Sequence, residues 1–272
     1  GHDARAMDIT PIIEAARERS LRTPRLGILR GFYGSMDEGW TRFLMEQYSF
    51  AYESLDDQRI IDGDLANDFD VIILPGMGER QLMGEGGRRD RDSYPPEFLS
   101  GFGEEGMASL KAFVEAGGTL VCLTSSCEAA VHKLELPVSI VNEELNNGDL
   151  NIPGSIVRLI VDTANPLAFG MQPEVATMFS RSLAFKPKED GAEDVEVVAS
   201  YAGENFLLSG FAKGEEHIAG TAAVVNVKHG EGRVVLVGFP ALFRGQTFAT
   251  FKLVFNAILM SAGDFHPDVD PM

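Results

Sequence analysis

Gly117-Gly-Thr-Leu-Val-Cys-Leu-Thr-Ser-Ser-Cys-Glu-Ala-Ala-Val131 is the stretch that decides the fold. Two glycines open it, a short apolar run follows, and polar residues then lead into a helix-forming segment. The pattern predicts a buried strand over Thr119–Leu123, a tight polar turn, and a helix over 128–134. Cys127 stands at the bend. Many α/β hydrolytic folds lift a nucleophile out of the sheet on such a strand–turn–helix unit.

Strand and helix patterns alternate on the N-terminal side of this unit. Leu26–Leu29, Phe50–Ser54 and Val71–Leu74 read as strands. Trp40–Tyr48 and Glu104–Ala116 read as helices between them, and Asp57–Ala66 as partly helical. Val71–Leu74 is a continuous apolar run, as a parallel strand covered on both faces requires. The alternation predicts a doubly wound, mostly parallel α/β sheet of the flavodoxin-like kind. Met77–Gly103 is too long for an ordinary βα connection and is rich in Gly, Arg, Asp and Pro. It reads either as a ligand-binding loop at a strand's carboxyl end or as a surface insertion.

The second half changes character. Ile156–Val161 and Val195–Tyr201 read as strands, and Ala222–Val227 and Arg233–Val237 as a hairpin about His229-Gly-Glu-Gly232. Phe248–Met260 is an apolar helix. Residues 8–20 suggest an amphipathic helix, which Thr23-Pro24 ends. The organisation expected is an extension over 1–22, one α/β domain over 23–263, and an acidic, disordered tail over 264–272. The leading Gly1-His2 is compatible with a cloning remnant, which would make the chain a piece of a longer protein.

Asp and Glu number 41 against 23 Lys and Arg, a net charge of −18. That balance argues against a nucleic-acid partner and against an anionic membrane surface. No run of eighteen apolar residues exists to span a membrane. Cys122 and Cys127 are the only cysteines, and an extended strand holds their Cα atoms beyond the ~7 Å disulfide limit, so two free thiols are expected.

Cys127 admits two readings. At a helix N-terminus a thiol pKa falls, which suits a nucleophile. The same residues fit a capping box, with Ser125 as cap and Glu128 three positions on. Glu128 would oppose a thiolate beside it. A cysteine nucleophile also needs a base. His217 and His229 are the histidines offered for that role, and Cys127, Glu128 and His217 are the catalytic candidates. Ser35-Met-Asp-Glu38 fits a second capping box. Asp37 and Glu38 also stand at the first βα loop, where paired carboxylates could bind a ligand. Ser126 in the turn, with Arg244 and Gln246 after the last strand, completes the ligand-binding candidates. His132-Lys-Leu-Glu135 with His266 has the residue types of a zinc site, but the setting, a helix pair plus a tail histidine, speaks against metal. No metal and no cofactor are expected.

Several segments together resemble a known family. They are Arg25-Leu-Gly-Ile-Leu29, Ser35–Tyr48, Asp70-Val-Ile-Ile-Leu-Pro75, Pro95-Pro-Glu-Phe98, Gly117-Gly-Thr-Leu120, Pro153-Gly-Ser-Ile156, Gly214–Gly220 and Phe243–Leu253. They resemble the C-terminal region of bacterial M14-type zinc carboxypeptidase-like proteins, over roughly residues 22–262. That region resembles a class I glutamine amidotransferase-like domain akin to the trehalose-utilisation type. In amidotransferases the base follows the last sheet strand as His-x-Glu. Here Gly238-Phe-Pro-Ala-Leu-Phe-Arg-Gly245 holds neither His nor Glu. The resemblance therefore implies a non-catalytic accessory domain for ligand binding, domain packing or oligomerisation. It implies an M14-type peptidase domain in cis or a second copy as partner, and a periplasmic or extracellular setting. The alternative is a cysteine-dependent hydrolase or amidotransferase using Cys127 with a non-standard base.

Overall fold

A computed structural model describes residues 22–32, 34–85 and 101–263. Strands β1 (Leu26–Leu29), β2 (Glu53–Leu55), β3 (Val71–Leu74), β4 (Thr119–Leu123) and β12 (Gly232–Val237) run parallel in the order β2-β1-β3-β4-β12. Every residue of β1, β3 and β4 is buried, because helices cover both faces. The covering helices are α1 (Met36–Gln47), α2 (Asp57–Asp62), α3 (Leu65–Asp68), α4 (Glu79–Leu82), α5 (Gly103–Glu115), α6 (Ser126–Lys133) and α7 (Phe248–Met260). Two apolar layers result. One holds Ile28, Leu44, Ile73, Val121, Phe239 and Phe251; the other holds Leu55, Ile72, Leu120, Phe113, Cys122 and Cys127. No helix among the described residues is long and apolar enough to cross a membrane.

Beyond β12 the sheet continues with antiparallel strands. β11 (Ala222–His229) pairs with β12, β9 (Val195–Tyr201) with β11, β6 (Ser155–Val161) with β9, and β10 (Leu207–Ser209) with β6. β7 (Glu174–Phe179) adds to β6, and β8 (Phe185–Pro187) bridges β11 to β5 (Val138–Ile140). The added antiparallel part is thus larger than the hairpin expected. Its short strands β5, β8 and β10 carry no alternation long enough to read in one dimension.

Some boundaries move for local reasons. β2 starts at Glu53 rather than Phe50, because Phe50 turns back: its N–H meets the Met45 carbonyl at 2.9 Å and its ring lies 5.0 Å from Phe255. The partly helical stretch expected over Asp57–Ala66 is two short helices, parted at Gly63 and Asp64, both at positive φ. α6 ends at Lys133, and Glu135 stands beyond it in left-handed backbone, so His132 and Glu135 do not share a helix face. The helix read over 8–20, the tail over 264–272, residues 86–100 of the long connection and His266 lie outside the described residues.

At the amino end of the parallel strands, Asp70 is clamped. Arg25 donates to it from its backbone N–H at 2.8 Å and from Nη2 at 2.7 Å, and Arg22 adds Nη2 at 2.8 Å. Burial alone would raise the Asp70 pKa, but the hydrogen bonds from Arg22 and Arg25 outweigh it and hold the carboxyl below its usual range.

Candidate functional site

β4 leaves the sheet at Thr124, whose φ of 51° is left-handed, a strained region for a β-branched residue. Its N–H is held by the Val237 carbonyl at 2.8 Å. The turn closes through Ser126, which is fully buried. Ser126 Oγ accepts the Leu123 N–H at 2.9 Å, and its hydroxyl lies 2.8 Å from the Leu74 carbonyl oxygen. That serine staples the ends of β3 and β4 and faces no solvent. Ser125 makes no side-chain cap bond, so the capping box expected at Ser125 and Glu128 does not form. Instead the backbone closes the turn, with Cys127 N–H on the Thr124 carbonyl at 3.1 Å. The Ser35 cap does form, accepting from the Glu38 N–H at 3.4 Å.

Cys127 is turned away from the edge. Its exposure is 0%, and Sγ lies 3.3 Å from the Cys122 carbonyl and 3.7 Å from that of Val237. Burial, reinforced by Cys122 and Glu128, pushes its thiol well above the ordinary range. Both cysteines are free, as the spacing required. Among the described residues no histidine hydrogen-bonds to Cys127. His217 lies exposed in the turn Glu215–His217, where it acts on Asp149. His229 pairs with Gly232 at the amino end of β12, opposite the elbow, 3.8 Å from Glu115. Glu128 faces Glu143, Glu79 and His132; its pKa rises through burial and then through those carboxylates. His132 bridges Glu79 (Nδ1, 2.7 Å) and Glu143 (Nε2, 3.1 Å). No group of three potential metal ligands gathers among the described residues.

The apex of the elbow is therefore Thr124. Its hydroxyl occupies the place where such a turn presents a nucleophile. Residue type does not single it out, although it is the first residue after the apolar strand. Opposite stands Asp37, from the first turn of α1. Between the two lies Gly76, after β3, and a Cβ built there would overlap both Thr124 Oγ1 and Asp37 Oδ2. The two oxygens thus converge on one point. With Trp40, Thr41 and Pro240–Phe243 they line a pit of about 10 Å³. Such a volume admits about one water-sized group. Burial raises the Asp37 pKa, and Arg181 acts against that rise. The Arg181 loop is pinned to this edge by the Leu183 N–H on the Gly238 carbonyl at 2.6 Å.

The other ligand-binding candidates are placed around this pit. Glu38 is buried and turned to Arg42 Nε at 2.5 Å. Arg244 is left-handed, with its guanidinium 5.1 Å above the Phe243 ring. Gln246 is exposed beside it.

This fold is shared with known structures. The fold is the class I glutamine amidotransferase-like, flavodoxin-like α/β fold. A ThuA-like protein from Bacteroides uniformis matches with a TM-score of 0.50 at 12% identity, over 97% of each chain. A cytoplasmic protein from Salmonella typhimurium matches with a TM-score of 0.51 at 14% identity, over 86% of this chain and 97% of its own. A GMP synthase component from Thermoplasma acidophilum matches with a TM-score of 0.53 at 9% identity, over 89% and 96%. At such identities the likeness is one of fold alone. No family model and no curated protein matches the chain.

Proposed function

We propose that this chain is an amidotransferase-like accessory domain without cysteine chemistry, binding a small ligand at the carboxyl edge of the sheet. One observation carries this reading: the thiol of the elbow, Cys127, is sealed at 0% exposure while the apex presents the Thr124 hydroxyl. A thiol that reaches neither solvent nor a base has no route to a thiolate nucleophile. Asp37, Gly76 and Arg181 around the apex support the binding role. A thiol reagent tests it. Native protein mixed with a large excess of a chromogenic disulfide at pH 8 is expected to label Cys127 at least ~10³-fold more slowly than unfolded protein, since labelling awaits an opening that typically needs about 5 kcal/mol or more. Labelling of native Cys127 within seconds would restore the cysteine-hydrolase alternative.

The wider setting rests on the sequence resemblance alone. On that ground the domain follows an M14-type zinc carboxypeptidase-like domain in the same polypeptide, in an exported protein, and packs on that domain or on a second copy. Reading the genomic frame upstream of Asp3 tests the first point: a frame without a His-x-x-Glu peptidase domain overturns it.

A further inference from the structure

Of the seven left-handed non-glycine residues among the described residues, three lie in segments that reach the elbow edge: Thr124 (φ 51°) at the turn itself, Arg181 (φ 50°) in the loop pinned to Gly238, and Arg244 (φ 51°) after Phe243, which lines the pit. Strain of this sort, of order 1–3 kcal/mol per residue, persists where surrounding structure enforces it, and it gathers at binding sites. The polar groups here are also unspent. Thr124 is 7% exposed, yet no described residue hydrogen-bonds to its hydroxyl, which lines the pit. No described residue donates to the Asp37 carboxylate. Arg181 and Arg244 have no carboxylate within ion-pair distance among the described residues, although acids outnumber bases 41 to 23 in the chain. Arg22, Arg25, Arg42, Arg59 and Arg158 have one, while Arg30, Arg80 and Arg233 share the unpaired state of Arg181 and Arg244 but belong to no segment of this edge's pit or its pinned loop.

We infer that this site takes a small hydroxylated carboxylate, its hydroxyl entering the pit between Asp37 and Thr124 and its carboxylate resting on Arg181, with Arg244 beside it. The inference depends on the edge being a binding place, as proposed above. Size supplies the first argument. A pit of about 10 Å³ admits one oxygen-sized group and excludes a phosphate or a ring. Valence supplies the second. A hydroxyl donates one hydrogen bond and accepts others, so it can donate to the Asp37 carboxylate while accepting from Thr124. A carboxylate in the pit would instead face Asp37 and be repelled. Charge supplies the third. A guanidinium binds a carboxylate with two parallel hydrogen bonds, and Arg181, in the loop that Leu183 pins to Gly238, lies near enough for its charge to act on Asp37.

Glycolate and D-glycerate are the probes, with acetate, ethylene glycol, glycine and inorganic phosphate as controls, each in calorimetric titration and in thermal melts of the chain. The two hydroxy acids are expected to bind in the millimolar range and to raise Tm by a few degrees when well above Kd. Acetate and ethylene glycol are expected to bind at least ~10-fold more weakly, each lacking one of the two groups. Arg181→Ala, Thr124→Val and Asp37→Asn should each weaken glycerate binding at least ~10-fold; for any of them that melts early, the competence of the fold is checked by the unchanged burial of Cys127 to thiol reagent. Equal binding of acetate or phosphate would reduce the site to a general anion site and overturn the inference. A preference for glycine would overturn it in favour of an ammonium ligand. Binding that survives all three substitutions overturns the placement. Absence of hydroxy-acid binding with Cys127 still silent defeats this ligand class and leaves the cysteine-free reading standing; rapid labelling of Cys127 defeats that reading itself.

Discussion

Replacing Gly76 by alanine gives a direct measure of how closely the elbow edge is packed. The new methyl would overlap Thr124 Oγ1 and Asp37 Oδ2 and stand 3.3 Å from Asp37 Cγ. Both oxygens must withdraw by roughly 1 Å to reach an ordinary carbon–oxygen contact. Thr124 has little freedom to do so, because its backbone is left-handed and tied to Val237. The Asp37 carboxylate is the more mobile partner, standing on the first turn of α1. Overpacking of this kind costs about 1–3 kcal/mol. For a domain of this size each kcal/mol lowers Tm by about 2–4 °C, so a fall of roughly 2–12 °C is expected in calorimetry. Gly78→Ala is the internal control: nothing lies within 4 Å of its Cβ, and its φ of −65° suits any residue. It should leave Tm within about 1 °C, as surface substitutions do. If Gly76→Ala melts with the Gly78→Ala protein, then Asp37 and Thr124 do not converge on Gly76 and the description of the pit is refuted.

Further expectations concern charge. Asp70→Asn removes the negative charge and turns one of the two oxygens that accept from Arg22 and Arg25 into a donor, and should cost about 1–3 kcal/mol in urea unfolding at pH 7, the worth of charge-assisted hydrogen bonds to a buried carboxylate. Because the folded Asp70 pKa is depressed, its contribution is present above the unfolded value of about 3.9 and is lost as pH falls below it. The gap between wild type and Asp70→Asn should therefore narrow on acidification, and a gap constant to pH 2 would contradict the clamp. His132 behaves oppositely. Burial lowers its pKa, but hydrogen bonds to Glu79 and Glu143 outweigh that, and the folded value is raised. Its contribution is full below the unfolded pKa of about 6.5 and fades as pH rises through the folded one. His132→Ala should thus destabilise more at pH 6 than at pH 9, and equal losses at both would dismiss the bridge.

Much of the fold is legible in one dimension because its central strands are doubly covered. Leu26–Leu29, Val71–Leu74 and Leu120–Leu123 are runs without a polar side chain, and such runs separated by helical patterns leave few arrangements other than a parallel sheet. The antiparallel extension is harder to read. β5, β8 and β10 are three residues each, and their pairing depends on partners far along the chain. The site shows the same division. Sequence spacing places a polar turn after β4 and an acidic first turn at α1, and it shows the histidine-free segment after β12. It draws the eye to Cys127 because cysteine is the more reactive residue type.

Which residue stands at the apex is a matter of backbone dihedrals, and those follow from contacts distant in sequence. The Val237 carbonyl holds Thr124, and the Leu74 carbonyl holds the Ser126 hydroxyl. Together they turn the helix early, sink Cys127 into the apolar layer and leave the threonine hydroxyl at the edge, facing Asp37 across Gly76. The chain's own pattern determined the layers of the fold and the edge on which a site would form. Tertiary hydrogen bonds between residues 52 and 113 positions apart (Ser126 to Leu74, Thr124 to Val237) decided which side chain that edge presents.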